Sequence, residues 1–379
     1  MGELHPAVEL TVELVKINSE NPTNVEKEIT DFITNWLNKE KIEYQLQEVS
    51  PGRSNIIAKV PGKGEREPIV FIAHCDTVPV GQGWTYDPLG GEIVEGKLYG
   101  RGAADMKSGL AAALYAIKEA KGAKSLPGDI IVVVSVDEEG PGMLGISAIL
   151  QSGLIKENTM VIAPEPTNLD IIRAHRGVMW YEIIAHGRSS HGGHAERGID
   201  ANHALAEIIC ELKTSVGALQ FDEKPLISVG QMGGGEKTNV VPNIARAEID
   251  FRVVFPMNVE DANQLVNKAA QRAVQRVEGA TVDVLNLGLQ RPPLIIPEDA
   301  SIIKLLQKSF IKVMEQEPVL GGYVAYTDAA VVSLKLNNKN AVCFGPGNLE
   351  QAHAYDEWVS IKEIELCGEI FKTLVYMEP

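Results

Sequence analysis

Short aliphatic runs in the first half of the chain predict buried β-strands. Residues 69–72, 130–136 and 160–163 consist almost entirely of apolar side chains. Such runs are typical of strands that are covered on both faces of a sheet. Residues 106–120, between the first two runs, are rich in alanine and leucine and predict a helix. Strands that alternate with helices indicate an α/β domain with a mixed, mostly parallel sheet flanked by helices.

The pattern changes after Gly177, where a second set of elements begins. These elements follow in the order strand, helix, strand, strand, helix, strand: 178–185, 200–214, 226–232, 243–254, 259–276 and 281–287. The order is that of a ferredoxin-like α+β fold. From Arg291 the first pattern returns. We therefore predict one α/β domain in two segments, residues 1–176 and 290–379, with a ferredoxin-like domain of residues 177–289 inserted between them.

The composition is that of an ordinary globular protein, and the negative net charge argues against two classes of binding partner. The chain has 379 residues, 45% of them hydrophobic, and a net charge of −16 from 51 acidic and 35 basic residues. Such a surface repels phosphate backbones and anionic lipids, which argues against nucleic-acid and membrane partners. No apolar run approaches the roughly 20 residues of a membrane span, and residues 1–17 lack the layout of a secretory signal. The four cysteines stand singly, which favours free thiols and a cytoplasmic location.

Acidic or imidazole side chains follow each of the three aliphatic runs. His74 and Asp76 follow the first run, Glu138 and Glu139 the second, and Glu165 the third. Ligands of parallel sheets gather beyond the carboxyl ends of the strands, so we expect these side chains at one edge of the sheet. His74 and Asp76 share a face of their strand. A carboxylate in that position can orient the imidazole as a metal ligand.

Two histidines and three acids form a candidate set of metal ligands: His74, Asp105, Glu139, Glu165 and His353. This donor set suits zinc, cobalt or manganese. If Asp105 bridges two divalent ions, each ion has one histidine, one carboxylate of its own and the shared carboxylate, with a position left for a bridging water. The alternative for each acid taken alone is a solvated loop carboxylate.

Glu138 and Glu139 are adjacent, so their side chains diverge if the backbone is extended. One of them can then hold a metal while the other faces the substrate and takes a proton from the attacking water.

Five segments together resemble the motif series of one enzyme family: HCDTVP (74–79), GRGAADMKSG (100–109), VDEEG (136–140), PEPT (164–167) and GPGNLEQAH (345–353). This is the dinuclear zinc metallopeptidase family of acetylornithine deacetylase, succinyl-diaminopimelate desuccinylase, aminoacylase and the glutamate-releasing carboxypeptidases. The resemblance runs from about residue 5 to the C-terminus.

The resemblance assigns a role to each residue that matches a motif. It implies that His74, Asp105, Glu139, Glu165 and His353 hold two zinc ions, with Asp105 as the bridge. It further implies that Asp76 supports the first histidine and that Glu138 is the general acid and base. The family fold is a catalytic domain interrupted by a lid that commonly dimerises, so a homodimer through the inserted domain is expected.

Three residues of the inserted domain also match the family. His191 resembles the lid histidine that reaches the active site of a neighbouring subunit and stabilises the oxyanion. Asn239 and Arg252 resemble the pair that grips the substrate carboxylate, a task that suits the planar fork of arginine. An interface histidine and a surface ion pair are the alternatives for His191 and Arg252. Many relatives have proline four residues after the lid histidine, where this chain has Ala195.

The resemblance also indicates a substrate class. Glutamate at position 165 is associated more with deacylases and carboxypeptidases than with dipeptidases, and the segment GPGNLEQAHAYDE (345–357) is most similar to the deacetylase and desuccinylase branch. We therefore predict a metal-dependent amidohydrolase that removes the acyl group from an N-acyl amino acid. A carboxypeptidase or dipeptidase is the alternative. A catalytically silent homologue is a further alternative, against which the presence of Glu138 beside all five ligands argues.

Overall fold

The computed structural model describes residues 3–22, 26–140, 142–221 and 223–378, which divide into two compact units. The first unit comprises Met1–Ala174, Ile296–Gly322 and Thr327–Pro379. The second comprises His175–Ile295 and Tyr323–Tyr326.

The helices, in chain order, are α1 (Pro6–Val15), α2 (Lys27–Lys39), α3 (Ser108–Lys121), α4 (Leu144–Gln151), α5 (Ala201–Gly217), α6 (Val259–Val274), α7 (Ser301–Met314), α8 (Asp328–Leu336) and α9 (Ile361–Val375). The strands are β1 (Glu43–Ser50), β2 (Arg53–Val60), β3 (Ile69–His74), β4 (Glu92–Val94), β5 (Lys97–Tyr99), β6 (Ile130–Ser135), β7 (Met160–Ala163), β8 (Ile171–His175), β9 (Gly177–His186), β10 (Leu226–Gly234), β11 (Ile244–Val253), β12 (Thr281–Arg291), β13 (Leu294–Ile295), β14 (Leu320–Tyr323), β15 (Ala341–Cys343) and β16 (Trp358–Ser360). None of the helices in the described ranges is both long and apolar enough to cross a membrane.

The first unit is built on a mixed sheet in which β1, β2, β6, β3, β7, β15 and β8 are successive neighbours. Pairing is parallel from β6 through β3 and β7 to β15, and antiparallel on both sides of this centre. Every residue of β3, β6 and β7 is buried, as the aliphatic runs predict. The mixed sheet with flanking helices confirms the predicted α/β class, and its four central strands pair in parallel.

Strand alternation divides the buried side chains of β3 and the residues that follow it between the two faces of the sheet. Phe71, Ala73 and Cys75 belong to the main apolar cluster, together with apolar side chains of α2, α3, α7 and α9. His74 therefore lies on the opposite face of the strand from Cys75. A separate three-stranded sheet with the order β16, β5, β4 completes the unit.

The second unit is a four-stranded antiparallel sheet with the order β10, β11, β9, β12. In the chain the elements follow as β9, α5, β10, β11, α6 and β12, which is the ferredoxin-like order. Alternate residues of β9 and β11 form its core with α5 and α6. Asp200 caps α5, and Asn258 and Asp261 form a capping box at the start of α6, so both helices have defined beginnings.

Candidate active site

The central strands of the first unit end side by side at one edge of the sheet. His74, the last residue of β3, pairs in register with Ser135, the last residue of β6. Glu138 and Glu139 follow β6 within four residues, and Glu165 follows β7 within two. Parallel register thus carries the ligand candidates to one edge, as expected for this class of sheet.

Asp105 lies between the two candidate histidines. Its Oδ1 is 3.1 Å from Nε2 of His74, and its Oδ2 is 3.5 Å from Nε2 of His353. Nε2 of His353 is in turn 3.0 Å from Oε1 of Glu139. Ligand atoms of His74, Asp105 and Glu139 all lie within 4.8 Å of one another, a spacing that is compatible with metal binding. A carboxylate whose two oxygens face two different histidines has the arrangement needed to bridge two ions.

The charge of this cluster also fits divalent cations. Burial raises the pKa of Glu138 well above its usual range, and the nearby Glu165 and Glu139 raise it further. Burial and the adjacent Asp105 likewise raise the pKa of Glu165. Burial alone would lower the pKa of His74, but its hydrogen bond to Asp105 and the surrounding carboxylates raise it well above the ordinary value. The buried carboxylates disfavour one another's ionisation, and imidazoles lie between them. A bound divalent cation would neutralise the negative charge of these carboxylates.

Asp76 contacts His74 through its main chain. Nδ1 of His74 is 2.9 Å from the backbone oxygen of Asp76 and 3.8 Å from its carboxylate Oδ1. The carboxylate accepts hydrogen bonds from the backbone nitrogens of Glu138 and Glu139, both at 3.1 Å. We expected this carboxylate to orient the imidazole. In the structure the nearer partner of Nδ1 is the backbone carbonyl of Asp76, while the side chain accepts hydrogen bonds from two amide groups of the loop after β6.

A buried polar network behind Asp76 was not predicted. Nδ2 of Asn21 donates to Oδ2 of Asp76 (2.8 Å) and to Oδ1 of Asp137 (3.0 Å). Arg53 donates to the same Asp137 oxygen at 2.8 Å and forms a two-pronged ion pair with Glu26. Only Asp137 stands within a recognisable motif, and no sequence pattern marks the other three residues.

Two further buried acids were also not predicted from the sequence. Asp328, at the start of α8, accepts a hydrogen bond from Ser135 at 2.8 Å, while its Oδ1 has no hydrogen-bond partner among the described residues. Burial raises the pKa of Asp328 to about 6. Glu357 is buried beside Arg101, and burial raises its pKa to about 7. Glu357 lies only four residues after His353, which is the one signal that could have found it.

In the second unit, the main chain joins the segments of His191 and Asn239. The backbone nitrogen of Gly192 donates to the backbone oxygen of Asn239 at 2.8 Å, and His191 forms a β-bridge with Val240. Nδ1 of His191 accepts a hydrogen bond from the backbone nitrogen of Gly193 at 3.0 Å. His191 and Asn239 are both exposed.

Arg252 is paired within its own strand. Its Nε is 2.9 Å from Oδ1 of Asp250, and its Nη2 is 3.0 Å from Oδ2 of the same residue. The remaining Nη1 donates to the backbone oxygen of Val324 at 3.4 Å. The ion pair that the sequence left open as an alternative is therefore present in this structure.

Curated relatives resemble the chain over nearly its whole length. The chain is 24% identical over 407 residues to a probable succinyl-diaminopimelate desuccinylase of Staphylococcus epidermidis, covering 98% of both chains. It is 27% identical over 364 residues to an acetylornithine deacetylase of Pectobacterium carotovorum, covering 92% of this chain and 90% of the relative.

Solved structures show the same fold. A tripeptidase from Staphylococcus aureus superposes with a TM-score of 0.82 at 20% identity, over 99% of this chain and 98% of that one. A dinuclear metal-binding peptidase of the M20 family from Bacillus subtilis has a TM-score of 0.74 at 17% identity, over 97% and 96%.

A family match covers most of the sequence. The model of the family described as Peptidase family M20/M25/M40 matches residues 70–377, a range that contains every candidate metal ligand. The chain therefore belongs to peptidase family M20/M25/M40 and is a hydrolase of amide bonds.

Proposed function

We propose that this chain is a metal-dependent amidohydrolase that removes the acyl group from an N-acyl amino acid, in the manner of acetylornithine deacetylase or succinyl-diaminopimelate desuccinylase. The observation that carries the proposal is the placement of Asp105 between His74 and His353, with Glu138 and Glu139 on the adjoining loop. The two relatives that bear these names extend over nine-tenths or more of both chains.

The donor set assigns residues to two divalent ions. His353 and Glu139 lie 3.0 Å apart and would hold one ion, while His74 and Glu165 would hold the other, with Asp105 shared. Two imidazoles with carboxylates favour zinc and also accept cobalt or manganese. When bound, the ions supply an acidified water and polarise the carbonyl group of the substrate.

Glu138 is the residue that moves the proton. It lies on the loop after β6, where its own backbone nitrogen and that of Glu139 donate to Asp76, so its main chain is held beside the ligand Glu139. Its carboxylate accepts a proton from the attacking water and later delivers it to the leaving amine nitrogen. Because Glu138 itself is not assigned to a metal, its oxygens are available for this transfer.

The second unit supplies substrate contacts in this proposal. Asn239 and Arg252 bind the carboxylate of the substrate, and Arg252 exchanges its partner Asp250 for that carboxylate. His191 stabilises the developing oxyanion in the active site of a neighbouring subunit, which requires a homodimer. The exposure of His191 and the fork geometry of Arg252 support these roles.

A cytoplasmic location is part of the proposal. Among the described residues no cysteine forms a disulfide: Cys75, Cys343 and Cys367 are buried, and Cys210 is exposed. Cysteines without disulfides are typical of a reducing compartment.

Peptide hydrolysis by the same site is the second candidate. The solved structures with the same fold include a tripeptidase and a dinuclear metal-binding peptidase, and the bond cleaved would again be an amide. The residues that surround the metals serve either substrate, since both present a scissile carbonyl and a carboxylate.

The test is amide hydrolysis by the zinc- or cobalt-loaded protein, repeated after chelation. The substrates are N-acetylornithine, N-succinyl-diaminopimelate, simple N-acyl amino acids, and di- and tripeptides. Chelator-sensitive turnover of an acyl substrate, with peptides untouched, is the expected result. Turnover of peptides alone would identify the protein as a peptidase. Absence of turnover by the fully metal-loaded protein would identify a catalytically silent homologue.

A further inference from the structure

A buried ion pair connects the two loops that carry Asp105 and His353. Nη1 of Arg101 is 2.7 Å from Oε2 of Glu357, and the two side chains are only 3% and 1% exposed. A buried charge pair stabilises an arrangement only when further hydrogen bonds satisfy its remaining oxygens and protons. The partners of Glu357 and Arg101 therefore show what the pair holds in place.

The second oxygen of Glu357 holds the main chain at Asp105. Oε1 of Glu357 accepts hydrogen bonds from the backbone nitrogens of Ala104 (2.9 Å) and Asp105 (3.1 Å). Hydrogen bonds to a charged carboxylate are about twice as strong as neutral ones. The backbone of Asp105 is thus fixed without using either of the side-chain oxygens that face the histidines.

The same pair also holds the segment of His353. Nη1 of Arg101 donates to the backbone oxygen of Ala354 at 3.1 Å, directly after the histidine. The backbone nitrogen of Gly100 donates to the backbone oxygen of Glu357 at 2.9 Å. Both loops are therefore joined by side-chain and main-chain hydrogen bonds around one carboxylate.

His353 depends on this support more than the other ligands do. Its φ angle is +64°, in the left-handed region that residues other than glycine adopt only at a cost of about 1–3 kcal/mol. Its side chain is 53% exposed, so packing contributes little to its position. The hydrogen bonds at Ala354 and Glu357 join the segment of this strained, exposed residue to the loop that carries Asp105.

We propose that Glu357 and Arg101 are positioning residues that fix Asp105 and His353 relative to each other, and so set the affinity of the metal position that these two ligands share with Glu139. The inference rests on the metal centre of the proposed function. It does not depend on which substrate the enzyme hydrolyses, because metal binding is measured without substrate.

The test compares metal binding by Glu357→Gln and Arg101→Lys with that by Glu350→Gln. Glutamine at position 357 keeps the side-chain length but is neutral and directs an amide group toward Arg101. Lysine at position 101 keeps the charge, but its shorter side chain does not place an ammonium group where Nη1 of Arg101 donates to both Glu357 and Ala354. Glu350 is an exposed acid on the same segment, so its replacement is the matched control for loss of charge.

Binding of zinc to the metal-free proteins is measured by competition with a chromophoric chelator, and the cobalt-loaded proteins are examined by visible absorption. We expect both variants to bind one of two equivalents about 10- to 100-fold more weakly, the usual effect of removing a residue that orients metal ligands. The cobalt spectrum should change in both variants and stay unchanged in Glu350→Gln. Activity at limiting metal should fall through kcat and recover when metal is added in excess.

Wild-type affinity for both equivalents and an unchanged cobalt spectrum in the two variants would overturn the inference. If Glu357→Gln does not fold, as judged by circular dichroism, the result with Arg101→Lys decides. A wild-type protein that binds two metals but hydrolyses no substrate of the panel would refute the proposed function while leaving this comparison valid. Fewer than two equivalents bound by the wild type would refute both.

Discussion

Replacing Asn21 by alanine tests the buried network behind the candidate active site. The side chain of Asn21 is buried, and its Nδ2 is shared between Asp76 (2.8 Å) and Asp137 (3.0 Å). Alanine removes both hydrogen bonds. It leaves two carboxylates in a buried region without the donor between them, while the backbone hydrogen bond from residue 21 to Thr77 is retained.

The size of the effect follows from what each carboxylate keeps. A hydrogen bond to a charged group contributes about 1.5–3 kcal/mol. Asp76 retains two backbone donors, and Asp137 retains Arg53, so neither acid loses all of its partners. Because the two bonds share one amide nitrogen, their contributions are not additive. We therefore expect the free energy of unfolding to fall by about 3 kcal/mol.

The assay is urea denaturation of the metal-free protein, followed by circular dichroism. Asn35→Ala is the matched control, since Asn35 is an exposed residue of α2 and the substitution is chemically identical. A change of less than about 0.5 kcal/mol in Asn21→Ala, which is the range of ordinary surface substitutions, would refute the reasoning. A stability loss without any loss of activity would instead show that the network supports the fold and not the loop that Asp76 holds.

Three further outcomes follow from individual residues. Gly109→Ala places a Cβ 1.9 Å from the backbone oxygen of Pro164 and should lower the thermal midpoint by several degrees, whereas Gly217→Ala, with no atom within 4 Å, should not. Burial lowers the pKa of His175 from 6.5 to about 4, so the unfolded chain takes up this proton first as the pH falls. Stability should therefore decline between pH 6.5 and 4 by up to about 3 kcal/mol, and His175→Asn, compared by urea denaturation across that range, should show a smaller decline. Glu138→Gln should lower kcat by about a hundredfold or more while both metal equivalents still bind, and undiminished turnover would exclude Glu138 as the proton carrier.

Strands and their ends can be predicted from the sequence more directly than contacts between loops. The aliphatic runs predict β3, β6 and β7 because burial on both faces leaves a continuous apolar signature. The position of His74 at the end of β3 follows from that signature and from the parallel register. The antiparallel flanks of the sheet leave no comparable mark, because pairing direction depends on how the connections run in space.

The supporting side chains were not predictable in the same way. Asn21 is separated in sequence from its partners Asp76 and Asp137 by 55 and 116 positions. Glu357 accepts a hydrogen bond from the backbone of Asp105, which precedes it by 252 positions. Contacts over such distances leave no periodic pattern and no local preference for a residue type in the sequence. The sequence therefore shows an asparagine and an acid without indicating their partners. The interpretation of Asp76 failed to foresee its main contacts for the same reason, since its amide partners belong to the loop after another strand.

Asp76 and Glu357 each hold the main chain of a loop that carries a candidate metal ligand. Each carboxylate accepts hydrogen bonds from the backbone nitrogens of two consecutive residues, and in each case one of the pair is a candidate metal ligand, Glu139 or Asp105. The ligand carboxylates repel one another in the absence of cations, and anchoring them through their own oxygens would compete with metal binding. Anchoring through the main chain avoids this competition, because it holds the loops without engaging the ligand oxygens that face the histidines. Removal of a ligand side chain should therefore abolish metal binding with little change in the loop, whereas removal of Glu357 should displace ligands that are themselves intact.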